Sequence, residues 1–475
     1  MRFSQMAGVL MSVFVFVPMS WAAEQVTKST ASDQVSVEVT AYNSDLALIK
    51  DVRQVKLEGG EGFLQFMDVA SSIQPETVRV RSVDHPEQLE FLEQNYEYDL
   101  ISPQKLLEKY VGKKIKLSAW NQYQDRKEVV EAILLSVNNG PVYQIGGEIH
   151  LGHEGTAIVP ELPDNLFARP TLSWLYQNRT AQTHRVETSY LASKISWRAD
   201  YALVLNDKDT RGDLSGWVTL DNRSGATYTQ AKLKLVAGDV HLPEERARSK
   251  MEYVDYSLAS SPEGAGFQEQ SLFEYHLYDL QRPTTIRENQ TKQISLLDAP
   301  DIAIKKELRF YGASQYYRSQ LGTPLSNQKV GVFLEIENDE KHRLGIPLPK
   351  GTVRVYKAAG DQSLQFIGED VIDHTPKDEK VKIKMGDAFD VVGERTQRDW
   401  KKIAWNLYET EWDVELRNHK TEDVEVTILE PVPGDWEVVK SSHPYSKIEA
   451  HTLQYAVKVP GGGKTTVNYR VRMRW

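Results

Sequence analysis

Alternation of apolar and polar residues at every second position is the sequence feature that most limits the fold. It is visible in Val35–Val39, Trp197–Leu205, Trp412–Leu416 and Val467–Trp475. Successive side chains of a strand point to opposite faces, so each segment has one apolar and one solvent-facing side. This pattern is typical of antiparallel sheets and not of the continuous apolar strands of a buried parallel sheet.

Turn signals separate these segments and leave room for one short helix. Glu58–Glu61 and Pro460–Gly463 supply the glycines that tight turns require. Ser102–Val111 is predicted to be helical, because Ser102 can cap it, Pro103 suits its first turn and Gly112 suits its end. The predicted fold is mainly β: a multi-unit antiparallel β-sandwich with one short helix in its N-terminal domain.

The first residues have the pattern of a secretory signal peptide. Arg2 precedes the apolar stretch Met6–Val17, and small residues lead to Ala22. We therefore predict a signal peptide over residues 1–22 and a periplasmic or secreted location. The stretch is shorter than the about 20 apolar residues of a membrane-spanning helix, and no later segment reaches that length. We expect no integral membrane span after cleavage.

Charge and cysteine content exclude several classes of function. The chain has a net charge of −10 and no cysteine, and removal of Arg2 with the leader gives −10 − 1 = −11. Nucleic-acid binding requires clustered cations, so we expect no nucleic-acid partner. Without cysteine there are no disulfides and no thiol chemistry, and stability must come from apolar burial.

Prolines and polar stretches suggest where the domains begin and end. Three prolines fall between residues 160 and 170, and Pro243–Gln270 has few apolar residues, which predicts a mobile loop. After the leader, we predict an N-terminal β-rich domain at 23–165, a β-sandwich core at 166–400 and an immunoglobulin-like C-terminal unit at 401–475.

The C-terminal unit has the clearest succession of short strands. Trp412–Arg417 and Val424–Ile428 flank the polar segment Asn418–Asp423, which predicts a hairpin. Three more alternating segments follow, and five short strands at this spacing fit an immunoglobulin-like sandwich. The further segments are Trp436–Val439, Leu453–Val459 and Val467–Trp475.

Several motifs resemble a known family. They are Thr171–Trp174, Tyr190–Ser193, Ile195–Tyr201, Val236–Asp239, Ile367–Asp370, Gly386–Val391 and Leu416–Asn418. The stretch Trp197-Arg198-Ala199-Asp200-Tyr201 is the most specific. They resemble the domain of unknown function number 4139, over about Ala168 to Trp475. That family is similar to the mucoidy inhibitor A-like proteins, which usually place a coiled coil before this domain.

The resemblance implies a β-rich fold and a domain boundary before the matching region. Residues 23–165 read as strands and one helix, so the usual coiled coil is missing here. The family carries no established activity, and the resemblance therefore assigns no catalytic residue.

Two kinds of polar cluster are candidates for chemistry. His150, His153 and Glu154 place two imidazoles and a carboxylate within five residues, which are ligands that zinc accepts. Asp239 with His241, and Asp373 with His374, each bring an acid near an imidazole, but no nucleophile elbow accompanies them. We predict a metal group at the first cluster, and neither catalytic residues nor an organic cofactor.

The tryptophans point to a different function, the binding of carbohydrate. Trp197, Trp217, Trp405, Trp412 and Trp436 could stack on sugar rings, although a large aromatic in an alternating strand usually fills the core. The sequence favours a non-catalytic envelope binding or structural protein, with an envelope protein or a glycan as partner. A periplasmic hydrolase or metalloenzyme and a glycan-binding module are the alternatives.

Overall fold

A computed structural model describes residues 25–121, 125–163, 166–238, 240, 267–273, 275–358 and 363–474. The predicted signal peptide lies outside the described residues, and so does the part of the predicted loop up to residue 266. The loop prediction is wrong for Phe267–Gln270, which belong to a strand and pair with residues 277–280. This strand is mostly polar, so it has no apolar alternation by which the sequence could reveal it.

Strands account for most of the described chain. In chain order they are β1 (Val26–Ser29), β2 (Gln34–Tyr42), β3 (Leu46–Leu57), β4 (Gly60–Met67), β5 (Arg79–Ser82), β6 (Leu89–Glu97), β7 (Lys114–Asn121), β8 (Arg126–Ser136), β9 (Val142–Ile145), β10 (Glu148–Leu151), β11 (Thr156–Ile158), β12 (Thr171–Asn178), β13 (Gln182–Ser193), β14 (Ile195–Leu205), β15 (Arg211–Asn222), β16 (Tyr228–Ala237), β17 (Phe267–Leu272), β18 (Tyr275–Leu280), β19 (Thr284–Ile286), β20 (Gln290–Ala303), β21 (Lys305–Tyr311), β22 (Leu325–Glu337), β23 (Gly351–Ala358), β24 (Leu364–Ile372), β25 (Lys380–Ala404), β26 (Leu407–Asn418), β27 (Val424–Pro431), β28 (Asp435–Ser441), β29 (Ser446–Glu449), β30 (Thr452–Val459) and β31 (Lys464–Arg474).

One α-helix, α1 (Pro103–Lys109), is present among the described residues. Ser102 Oγ accepts a hydrogen bond from the Lys105 N–H at 3.1 Å, as an N-cap does. Gly112 follows with a φ of +81°, which glycine adopts without strain. The mainly β fold with one short helix is thus confirmed. In the part of the chain that the structure describes, no helix has the length and apolarity of a membrane span.

Short 3₁₀ turns complete the helical structure. They lie at Ala31–Asp33, Pro75–Thr77, Ser314–Tyr317 and Glu340–His342.

The chain divides into two compact units, of which the first holds residues up to Ser36 and Lys50–Tyr190. One sheet of this unit has the order β1-β4-β12-β6, and β13 pairs with β5. A second, the small sheet, has the order β10-β9-β8-β7-β11 and is antiparallel throughout. One face of the small sheet and the end of α1 build a core of Tyr110, Ile115, Leu117, Ala132, Leu134 and Tyr143.

The second unit holds Val37–Ile49 and Leu191 onward. Its sheets include the four strands β17-β18-β16-β2 and the five strands β20-β15-β14-β23-β24. A nine-stranded sheet has the order β28-β31-β26-β25-β22-β21-β27-β30-β29. Strands from both halves of that order contribute to one core, as two layers of a sandwich do. The shared core includes Trp412, Val414 and Val467 from one half, and Val426, Ile428 and Tyr455 from the other.

The predicted hairpin at Asn418–Asp423 is wrong. β26 pairs with β25 and β31, whereas β27 pairs with β21 and β30. The segment instead links the two halves of the sheet order, and the Asn418 side chain donates to the Glu422 carbonyl at 2.8 Å. Both strands place their apolar residues in the same core, and strands on opposite sides of a core cannot be hydrogen-bonded neighbours. The domain boundaries at 165 and 400 stay predictions; β25 continues through residue 400.

Candidate binding face

The five-residue stretch Trp197–Tyr201 lies in β14, at the centre of the five-stranded sheet. Its odd-numbered residues face inward: Trp197 Nε1 donates to the Val236 carbonyl at 3.3 Å, and the Tyr201 hydroxyl donates to the Pro349 carbonyl at 2.8 Å. Burial raises the pKa of Tyr201 well above its ordinary value. Arg198 and Asp200 therefore point to the opposite, outer face of the sheet.

Asp200 is the centre of a polar network on this outer face. Its Oδ1 lies 3.1 Å from Arg354 Nη1, and its Oδ2 lies 3.2 Å from Arg198 Nε. The Thr219 hydroxyl donates to Oδ2 at 2.6 Å, and Gln293 Nε2 donates to that hydroxyl at 3.2 Å. These partners cover the carboxylate, which is buried although it points away from the core.

The network continues to the edge of the sheet. Arg354 in β23 also lies 3.2 Å, from Nε to Oε2, from Glu369 in β24. Its hydrogen bond to Asp200, together with the nearby negative charges, raises the pKa of Arg354. Residues of all five strands thus form one polar row, in which two guanidinium groups and a hydroxyl engage the Asp200 carboxylate. A carboxylate so engaged holds its neighbours in fixed positions.

Aromatic side chains lie beside this row. Trp217 in β15 stands directly opposite Asp200 in the strand register, and it is 42% exposed. Ser295 in β20 stands opposite Trp217 on its other side. Beyond Arg354, the rings of Tyr356 and Phe366 meet edge to face with centroids 5.8 Å apart. The outer face therefore presents flat apolar surfaces beside fixed hydrogen-bonding groups.

The metal candidates His150, His153 and Glu154 lie in the first unit. His150 is in β10, with Nε2 4.0 Å from Glu148 Oε2. His153 Nδ1 accepts a hydrogen bond from the Gly155 N–H at 2.8 Å. Glu154 is exposed in the same connection. Their ligand atoms do not form a group within 4.8 Å of one another, and the metal assignment stays a prediction.

Such a group does occur at Glu337, Asp339 and His342, and it is the one found among the described residues. His342 Nδ1 lies 2.6 Å from Asp339 Oδ1, which also accepts from the His342 N–H at 2.9 Å. Desolvation acts to raise the pKa of Asp339, but the bonds from His342 outweigh it and lower that pKa. These contacts match a capped 3₁₀ turn, and only the spacing Glu-x-Asp-x-x-His could have pointed to the group in the sequence.

Of the two acid–imidazole pairs, only the second lies within the described residues. Asp239 and His241 lie outside the described residues. His374 Nδ1 accepts a hydrogen bond from the Lys350 N–H at 3.1 Å, and Asp373 lies 3.7 Å from Lys350 Nζ. Both side chains of this second pair thus face Lys350.

The tryptophans divide between core and surface. Trp197, Trp412 and Trp436 are buried, as expected for large aromatics in alternating strands. Trp217 and Trp405 are exposed, and Trp217 is the one beside the Asp200 network. Strand parity could have placed it, because Val218 and Leu220 alternate with it and face the core.

A protein-family model described as Domain of unknown function (DUF4139) matches residues 186–475, which include all five strands of the sheet that contains Asp200. No curated protein matches the chain.

Proposed function

Because the chain belongs to the Domain of unknown function (DUF4139) family, whose description names no activity, we propose a function from the site itself. The protein is an exported, non-catalytic binding protein of the periplasm or the cell exterior. Its partner is an envelope protein or a glycan, held on the outer face of the five-stranded sheet. The observation that carries this proposal is the exposed Trp217 beside the fixed charges of Asp200 and its partners.

The state of the charged groups supports binding over catalysis. A general base needs a lone pair directed at the substrate proton it removes. Asp200 is engaged by Arg198, Arg354 and Thr219. A rigid, paired network costs little to reorganise when a ligand binds, and pre-organisation of this kind favours affinity.

Capture of partners from envelope extract tests the proposal. The purified chain is immobilised as wild type and as Trp217→Ala, with Trp405→Ala as the matched control. Trp405 is 83% exposed and lies in the connection between β25 and β26. We expect W217A to lose the captured partner and W405A to keep it. Turnover of generic ester, glycoside or peptide substrates by the wild type contradicts the non-catalytic assignment.

Of the two proposed partner classes, a glycan is the more specific, and the residues around Trp217 favour it. A pyranose ring presents one C–H-rich face that packs on an indole, and its hydroxyls then need donors and acceptors at the rim. Ser215 and Ser295 lie beside Trp217 on the same face, and Asp200 lies opposite. Glycan-array binding that W217A abolishes and W405A retains supports this candidate; an array without signal removes it and leaves a protein partner.

A further inference from the structure

The small sheet of the first unit has one face in its core and one face in solvent. Its inward residues include Ile115, Leu117, Leu134 and Tyr143. The register assigns the alternate residues to the other side, which we call the small-sheet outer face. Its apolar members are Trp120, Val129, Ile133, Val142, Ile149, Leu151 and Ile158, and its charged members are Lys114, Lys116, Lys127 and Glu131.

Large apolar side chains protrude from this face. Leu151 is 88% exposed, Ile149 is 66% exposed and Trp120 is 61% exposed, and Val129 and Ile158 are exposed as well. Neighbouring strands supply them: Ile149 and Ile133 both stand opposite Gln144, and Leu151 stands opposite Val142. Single exposed apolar residues are ordinary, but a set that extends over one sheet face indicates a contact surface.

The charges on this face are mainly positive. Lys114 stands opposite Ile133, Lys116 opposite Glu131, and Lys127 opposite Trp120. Within the residues that the structure describes, none of these lysines has a carboxylate within 4.0 Å. With three lysines and one glutamate, Glu131, this face has a net positive charge, whereas the whole chain has a charge of −10.

We propose that the small-sheet outer face docks on an anionic lipid surface. Protruding aliphatic side chains gain by entering the acyl boundary, and tryptophan favours the headgroup level. The lysines can extend to lipid phosphates while their stems cover apolar surface. Each lysine near an anionic surface contributes about fivefold to the partition coefficient, and three contribute about a hundredfold.

The distribution of the apolar residues favours lipid over a protein strand. Addition of a partner strand would use one edge strand, β10 or β11, and the groups beside it. Here the apolar residues extend from Ile149 and Leu151 in β10 to Ile158 in β11 at the opposite edge, with Trp120 and Val129 on strands between them. A flat lipid surface that covers the whole face would contact these apolar residues and the three lysines at the same time. The lipid contact uses the first unit alone and does not depend on the ligand of Trp217.

Vesicle co-sedimentation tests the proposal. The chain is purified without residues 1–22, so that the apolar leader does not itself bind lipid. Its partition is measured on vesicles of phosphatidylcholine alone and of phosphatidylcholine mixed with phosphatidylglycerol, at low salt. We expect the wild type to prefer the mixed vesicles, and this preference to weaken as salt screens the charges.

Two variants separate the charged from the apolar contribution. K114Q/K116Q/K127Q should lose about a hundredfold on mixed vesicles and little on phosphatidylcholine. I149S/L151S should lose about tenfold or more on both. The matched controls K208Q/K382Q/K458Q and F389S/I448S change exposed residues elsewhere and should bind as the wild type does.

Several results overturn the proposal. They are equal partition of the wild type on both vesicles, wild-type binding by the two variants, or equal losses in the controls. Capture of an envelope protein that requires Ile149 and Leu151, with vesicles left unbound, replaces lipid by a protein partner. Unchanged circular dichroism of each variant ensures that lost binding does not reflect lost folding, since every substituted residue lies on the surface. W217A should bind vesicles as the wild type does.

Discussion

Arg395 and Glu430 form an ion pair in the core of the nine-stranded sheet, where each side chain is only 1% exposed. Arg395 Nε and Nη2 lie 3.0 Å and 2.9 Å from Glu430 Oε1. The Tyr317 hydroxyl donates to Glu430 Oε2 at 2.9 Å. The guanidinium stacks on Phe310, with 3.9 Å between its central carbon and the ring centroid. The buried charges are thus paired, which is the condition for keeping them in an apolar core.

Removing one charge of this pair should be costly. In Glu430→Gln the Arg395 guanidinium stays buried without its counter-charge, and we expect a loss of about 3–5 kcal/mol in the free energy of unfolding. Urea denaturation measures it. Arg398→Gln is the matched control, because Arg398 is exposed in its pair with Asp413, and it should cost about 0–1 kcal/mol. An E430Q protein as stable as R398Q contradicts the prediction.

The stability of the first unit should fall in mild acid because of His184. This residue is buried, and its Nδ1 lies 3.0 Å from Ser82 Oγ. Desolvation, with a smaller effect of His85, lowers the pKa of His184 below its ordinary value of about 6.5. The unfolded chain therefore binds a proton first, and stability present above pH about 6.5 is lost as pH falls towards the folded pKa.

Denaturant titrations between neutral and mildly acidic pH check this expectation. His184→Asn keeps an acceptor near Ser82 but no titrating ring, so its stability should depend less on pH than that of the wild type. If the free energy of unfolding changes equally with pH in the two proteins, His184 is excluded as the cause.

Asp200 should matter for both stability and binding. Asp200→Asn removes the charge shared by Arg198 and Arg354, and we expect a loss of about 1–3 kcal/mol in unfolding free energy. It should also weaken partner capture, because the residues beside Trp217 lose their fixed positions. Glu369→Gln affects only the exposed end of the row and serves as control. Equal effects of D200N and E369Q on capture refute a central role for Asp200.

The predicted metal group is checked by elemental analysis of the purified chain. A site at His150, His153 and Glu154 requires stoichiometric zinc that H150N and H153N lose. His342→Asn changes the other candidate group, and zinc lost in that variant alone transfers the site to Glu337, Asp339 and His342. A zinc-free wild type after incubation with zinc and desalting removes both.

Export is checked at the N terminus. We expect the protein recovered from the periplasm or the medium to begin at Ala23, as shown by intact mass and N-terminal sequencing. A cytosolic protein that retains Arg2 and the apolar stretch after it contradicts the localisation.

Local features of the fold could be predicted because they depend on nearby residues. The alternation in β14 reveals the strand, and Ser102, Pro103 and Gly112 mark the ends of the helix. Both signals can be read from residues that are close together in the sequence. The hairpin prediction failed because strand pairing is a tertiary property: β26 and β27 are adjacent in sequence, yet they contribute to the same core from different halves of the sheet.

The candidate site could be predicted only in part. Asp200 lies in the stretch that carries the family resemblance, but the sequence did not single it out as a site residue, and its partners Thr219 and Arg354 are 19 and 154 residues away. A single sequence cannot state that these residues meet, because the sheet register brings them together. By contrast, the exposure of Trp217 was accessible through parity with Val218 and Leu220.

The motif in β14 has two roles on opposite faces of the sheet, because successive side chains of a strand point in opposite directions. Trp197 and Tyr201 anchor the interior, while Arg198 and Asp200 shape the exterior. Substitutions at alternate positions of one pentapeptide should therefore yield distinct phenotypes: loss of protein abundance at odd positions, and loss of binding with a smaller loss of stability at even positions. Genetic screens that score abundance and activity separately can use this segment to isolate separation-of-function alleles.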